Sequence, residues 1–211
     1  MALSGLRTAL AANSSYARIS SAASHAAGER TEELQIAATS GLRPAVVADI
    51  AQNIRSHSPH GVVLAVTATD READDLATSL ECYAPQARVG HFPSWETLPH
   101  ERLSPRSDTV GRRLGVLRQL AHPEEAGALD VVVAPVRAVV QPLVAGLGEL
   151  APVRLAVGED HDFDEVVQPL SDAAYSRVDM VTRRGEFAVR GGILDVFPPT
   201  EPHPLRVEFF G

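Results

Sequence analysis

From about Glu32 to Val140, short apolar runs alternate with helix-length amphipathic stretches. No other feature limits the fold as much. Val62 to Val66 and Val131 to Ala134 are unbroken aliphatic runs, the signature of strands buried on both faces. Leu34 to Ala38 and Arg88 to Phe92 are two further short strands. Between them lie three helices, over about Pro44 to Ser56, from Thr69 to about Tyr83, and over Asp108 to Leu120. Pro44 stands where a first helical turn tolerates proline. Thr69-Asp70-Arg71-Glu72 is a capping-box pattern, in which a threonine oxygen and a glutamate three residues on satisfy orphan amides. Strand–helix alternation of this kind predicts an α/β fold, a parallel sheet with helices on both faces.

The text changes after Pro142 to Pro152, which reads as a connection between modules. Val153 to Val157 is expected to be a strand and Phe163 to Ala174 an acid-capped helix. From Arg177 onward come only short strands, so the second module is expected to be a small α+β domain with an antiparallel sheet. Within it, Arg183 to Pro199 reads RRGEFAVRGGILDVFPP. Phe187, Val189 and Ile193 are alternating apolar residues broken by Gly185 and by Gly191-Gly192, the pattern of hairpin strands with sharp turns. Arg183, Arg184 and Arg190 fall within this run, and Arg177 lies just upstream of it. Guanidinium forks on a stiff hairpin, with Phe197 beside them, form a surface suited to carboxylates or phosphates, and arginine with an aromatic is the make-up of interface hot spots. The first thirty residues, rich in Ala and Ser, are expected to be loosely helical or partly mobile. The chain ends on Glu208-Phe209-Phe210-Gly211, directly after a strand, and is expected to be a piece of something longer.

Composition removes several functions. All 19 cationic residues are arginine; there is no lysine. A phosphate-binding loop of the G-x-x-x-x-G-K-[ST] type and Schiff-base catalysis both require one. The turn Thr39 to Pro44, where a nucleotide-binding fold would hold its phosphates, has one glycine and an intruding proline, too few free amides to cradle a triphosphate. A net charge of −8 argues against general coating of nucleic acid, although a local basic patch is compatible with it. No apolar run approaches the roughly 18 residues of a membrane span, and the N-terminus lacks the order of a signal peptide. Cytoplasmic location is the expectation. The single Cys82 fits a reducing compartment and is expected to be a small buried hydrophobe.

Other candidate sites have plainer readings. Gly158 to Glu165 gathers carboxylates around His161, but acids at a first helical turn are what the helix dipole favours. His91 and His100 flank the Trp95 loop and read as loop hydrogen-bonders; Trp95 reads as a ring that pins that loop to the sheet. Glu186, Asp195 and Glu208 evoke a nuclease triad, but on adjacent strands they read as partners of Arg184, Arg190 and Arg206. No catalytic residue, cofactor site or metal site is expected.

Two separated segments, FPSWETLPHERLSPRSDTVGRRLGVLRQL and RRGEFAVRGGILDVFPP followed by RVEFFG, resemble the N-terminal region of the bacterial transcription-repair coupling factors, a module also found in UvrB of nucleotide-excision repair. The resemblance covers about Leu34 to Gly211. It implies an N-terminal extension over 1–31, a degenerate RecA-like domain 1a over 32–141, a UvrA-binding domain 2 over 142–204, and the start of a truncated domain 1b over 205–211. It implies a non-catalytic adaptor that recruits UvrA to lesions where RNA polymerase has stalled. The UvrA-contacting positions fall on Arg177, Arg190, Arg206 and Glu208, with Phe197 an apolar neighbour and Arg183 and Arg184 as additional candidates. Ala188 stands where UvrB-like sequences often carry another arginine. In the full-length family, ATP and magnesium serve distant motor domains of a DNA translocase, RNA polymerase and double-stranded DNA are further partners, and a C-terminal domain masks the UvrA-binding face. The alternative is a nucleic-acid-binding module using the same arginines on phosphates.

Overall fold

A computed structural model describes residues 4–26, 33–97, 104–173 and 175–210; His100 lies outside them. In chain order the elements are α1 (Ser4–Ala11), α2 (Ser14–Ala26), α3 (Arg43–His57), β1 (Val63–Thr67), α4 (Asp70–Tyr83), β2 (Val89–His91), α5 (Ser107–Ala121), α6 (Pro123–Ala126), β3 (Val131–Pro135), α7 (Val136–Val140), α8 (Phe163–Asp172), β4 (Ser176–Arg177), β5 (Glu186–Arg190), β6 (Ile193–Val196) and β7 (Leu205–Glu208). They form two compact units, one of residues 1–95 with 115–148 and one of 96–114 with 149–211.

The first unit holds a parallel sheet in the order β1-β3-β2. Every residue of β3 is buried, which is what its unbroken Val-Val-Val-Ala-Pro run demands of a central strand. Val131 and Val133 point to one face, where Ala48 and Ala51 of α3 and Ala73 and Leu80 of α4 close the core. Val132 and Ala134 point to the other, packed with Phe92, Val116 of α5, Leu129 and Ala138 of α7. The parallel sheet with helices on both faces is therefore as the alternation predicts.

β1 departs from expectation. Leu64 and Val66 are 55% and 49% exposed, because β1 is an edge of the sheet and only its Ala65 side is covered by helices. Of these two runs, only β3 is buried on both faces. Leu34 to Ala38 is not a strand either; it runs unpaired, with Leu34 and Ile36 lining a hollow of about 360 Å³ together with Leu10 of α1, Tyr16 of α2 and Val46 of α3. The threonine cap forms as the sequence predicts, Thr69 Oγ1 accepting from Glu72 N at 3.2 Å; the return bond differs by one residue, since Glu72 Oε2 accepts from Ala68 N at 3.1 Å rather than from the amide of Thr69.

One carboxylate that the sequence does not advertise ties this unit together. Asp130, just ahead of β3, is buried, and its side chain accepts from Arg88 N at 2.7 Å and from Arg55 Nη1 at 2.9 and 3.0 Å. Its own backbone donates to the Arg88 carbonyl and accepts from Val63 N. The start of β1, the approach to β2 and the last turn of α3 thus converge on one residue.

The second unit holds a four-stranded sheet in the order β4-β5-β6-β7, antiparallel except that β4 runs parallel to β5. Phe187, Val189, Leu194, Val196 and Val207 face Val166 and Leu170 of α8 to make its core. Phe163 meets Phe209 edge-on at 5.0 Å. Val153 to Val157, expected as a strand, joins no sheet ladder; Leu155 packs against this core while Val157 is fully exposed.

Candidate functional site

The hairpin of β5 and β6 sets the geometry of the arginine surface. Its turn is Gly191-Gly192, with Arg190 paired to Ile193, and Gly191 takes the left-handed φ of 60° that this two-residue connection needs. At Gly192 a Cβ would come within 2.8 Å of the Phe209 carbonyl, so the approach of the chain after β7 excludes a side chain there. Residues directly opposite across a sheet share a face. The pairing sets Phe187, Val196 and Leu205 in one row and Val189, Leu194 and Val207 in the next, both facing α8. Ala188, Asp195 and Arg206 form a row on the opposite face, and Arg190, Ile193 and Glu208 form the row beside it.

That outer face alternates in sign. Arg206 Nε and Nη2 donate to Asp195 Oδ1 and Oδ2 at 2.7 and 2.8 Å, a two-pronged pair between neighbouring strands. Those bonds, helped by the fields of Arg206 and Arg190, hold the Asp195 carboxyl below its ordinary value; the same bonds raise the Arg206 guanidinium, with Glu208 adding to the effect. Arg190 donates through Nη2 to the Asp179 carbonyl.

Arg177 occupies a different place. On β4 it lies opposite Phe187, so its register position belongs to the row that faces α8, at the sheet's outer edge. It is exposed there and joins Val178, Asp179, Val189 and Arg190 around an open hollow of about 410 Å³. Arg177, Arg190 and Arg206 are all exposed, but they do not share one face. Arg190 is common to two arrangements, the β4–β5 hollow with Arg177 and the outer face with Arg206, Asp195 and Glu208.

The remaining candidates gather at the other end of β5. Glu186 Oε2 accepts from the backbone amides of Thr182 and Arg183, each at 2.8 Å, and from Thr182 Oγ1 at 3.3 Å. Those two amide bonds hold the Glu186 carboxyl below its usual range. The turn so fixed carries Arg183 and Arg184 into solvent, and Gly185 completes it at φ 81°. Arg184 lies 4.9 Å above the half-buried Phe197 ring and donates to the Glu201 carbonyl at 3.2 and 3.1 Å. Of the three carboxylates read as arginine partners, Asp195 has one in Arg206, Glu208 acts on Arg206 through its field, and Glu186 turns instead to backbone amides. Sequence spacing carries no sign of the carbonyl partners, Asp179 and Glu201.

The plainer readings fare unevenly. Asp162 caps α8 by accepting from Asp164 N at 2.9 Å, and His161 lies 3.2 Å from Glu159. His91 Nδ1 lies 3.2 Å from Asp74. Trp95 is half-buried and pins its loop through its backbone, donating to Gln141 Oε1 at 2.8 Å. Cys82 is exposed rather than buried, because it falls on the outer side of α4. Sequence patterning does not foretell that Arg113 of α5 is fully buried, where desolvation lowers its guanidinium to about 10.

Residues 153–211, which include the whole four-stranded sheet, match the family described as the UvrB interaction domain. Over 188 residues, 88% of its length, the chain is 53% identical to the transcription-repair-coupling factor of Mycobacterium bovis. The chain belongs with the transcription-repair-coupling factors. It is 37% identical over 74% of its length to the Myxococcus xanthus protein of that name. It is also 28% identical over 82% of its length to the UvrABC system protein B of Streptomyces coelicolor. It spans 10–15% of the length of these coupling factors and 29% of the UvrABC system protein B. No helix among the described residues is long and apolar enough to cross a membrane.

Proposed function

We propose that this chain is a cytoplasmic, non-catalytic adaptor whose second unit docks UvrA and so brings excision repair to stalled RNA polymerase. The observation that carries the reading is a coincidence of place. The stretch matching the UvrB interaction domain is the one that carries the exposed arginines on a paired β scaffold. In this reading Arg177 and Arg190 grip an acidic group of UvrA at the β4–β5 hollow, and Arg206, Glu208 and Phe197 extend the contact, with Arg183 and Arg184 at its margin. Residues 32–141 are the UvrB-like domain 1a, 142–204 the docking domain and 205–211 the start of domain 1b. No cofactor is assigned to this stretch; ATP and magnesium, like DNA and RNA polymerase, belong to other parts of the full-length coupling factor.

The alternation of charge favours a protein over a nucleic acid. Asp195 and Glu208 lie in the same two rows as Arg190 and Arg206, so a phosphate backbone would meet a carboxylate for each guanidinium. A protein surface with complementary signs meets no such repulsion. The test is a UvrA pull-down with the Arg177→Ala/Arg190→Ala double variant. Binding should be abolished while the circular dichroism melt stays nearly unchanged, since both side chains are exposed. A folded double variant that still captures UvrA refutes the assignment. Tight, steeply salt-dependent binding to duplex DNA would favour the alternative instead.

A further inference from the structure

Arg206 stands on β7, an edge strand of its sheet, and its side chain is 60% exposed. A long side chain in such a place ordinarily samples many rotamers, and ordering it on binding weakens association. Here the choice is already made. Asp195 stands on β6, held between β5 and β7, and its side chain is only 25% exposed. Ala188 is its small, buried neighbour on β5, so the carboxylate is steered toward β7. Both its oxygens engage Nε and Nη2 of Arg206. A guanidinium has five N–H donors in one plane, and this pair uses two along one edge. The other edge, with Nη1, is directed away from Asp195.

We propose that Asp195 is a positioning residue of the docking face: it takes one edge of the Arg206 guanidinium and turns the other toward a carboxylate of the protein partner. This rests on the UvrA reading above. The competing arrangement would have Arg206 lean along its own strand toward Glu208, two residues away on the same face. Glu208 is within electrostatic range but takes no hydrogen bond from Arg206. A lone monodentate partner would leave the guanidinium plane undefined, whereas a two-pronged one fixes both its position and its tilt.

The test is a thermodynamic cycle on the intact chain, with UvrA affinity measured by calorimetry for Asp195→Ala, Asp195→Asn, Arg206→Ala and the Asp195→Ala/Arg206→Ala pair. Asp195→Asn keeps the side-chain shape but replaces one acceptor with a donor. Both Asp195 variants should therefore weaken binding, by about tenfold, the effect of about one charge-assisted hydrogen bond. In the Arg206→Ala background, Asp195→Ala should change affinity by less than about twofold, because a residue that acts through Arg206 has nothing left to act on. Losses that add independently would overturn the inference. So would unchanged binding, or tighter binding, which would mark Asp195 as a competitor for Arg206. If Arg206→Ala and the Arg177/Arg190 double variant also leave affinity intact, the UvrA reading itself fails; if those lose binding and the Asp195 variants do not, only the positioning role fails.

Discussion

Replacing Asp130 by alanine should be among the more damaging single polar substitutions in the first unit, and its cost can be built up from the bonds it makes. The side chain serves two groups of different worth. Arg55 is 61% exposed, so its ion pair with Asp130 is screened by water and contributes less than about 1 kcal/mol. The Arg88 amide donates at 2.7 Å to this buried carboxylate, and losing the acceptor leaves an N–H at the entrance to β2 without its protein partner, for about 1–3 kcal/mol. Together the loss is about 1–4 kcal/mol. With a urea dependence of about 2 kcal/mol per molar, the unfolding midpoint should fall by about 0.5–2 M. Asp130→Asn provides the internal control. Its one remaining oxygen can still accept from Arg88 N but cannot also hold a charged pair with Arg55, so it should recover most of the loss. The assay is urea titration followed by helix circular dichroism. If the asparagine variant is as unstable as the alanine variant, the backbone amide is not the main beneficiary. If Asp130→Ala moves the midpoint by less than about 0.3 M, the convergence of β1, β2 and α3 on this residue has no energetic meaning.

Two further outcomes are expected in the second unit. Asp195 and Glu186 both have folded-state values depressed below their ordinary 3.8 and 4.5. Their stabilisation is therefore fully present above those ordinary values and is lost as pH falls through the lower folded ones. Carboxyl-carbon NMR titration should show both depressions, and Arg206→Ala should return Asp195 toward its ordinary value while leaving Glu186 where it is. Gly185→Ala should destabilise this unit by about 1–2 kcal/mol, since φ is 81° and an added Cβ would sit 2.7 Å from Ser107 Oγ. A thermal melt unshifted by that substitution would mean that the turn relaxes at no cost.

The elements with strong local signals were legible in the sequence. The threonine cap of α4, the acid cap of α8, the buried run of β3 and the diglycine hairpin each follow from a few adjacent residues, and each is found. The misses share one cause, dependence on what lies next to an element in space. Val63 to Thr67 and Val131 to Pro135 are equally aliphatic, yet one is an edge and the other the centre of the sheet. Leu34 to Ala38 and Val153 to Val157 have strand-like composition but no strand beside them to complete a ladder. At the arginine surface, residue types and hairpin were readable from the run itself. The separation of Arg177 from the face of Arg190 and Arg206 was not, because it depends on the parallel pairing of β4 with β5.

The diglycine connection makes chain length at this hairpin a binary variable. Leu194 and Val196 face α8 while Asp195 faces away, solely because the count of residues from Arg190 fixes their parity. One residue more or fewer between Arg190 and Leu194 would send Asp195 toward the oily side and its neighbours into water. The carbonyl of Gly192, engaged by Phe209 N at 2.8 Å, leaves no slack to absorb the slip. Natural variation in length is therefore to be sought in the 198–204 connection, where an extra residue leaves the orientation of β6 untouched.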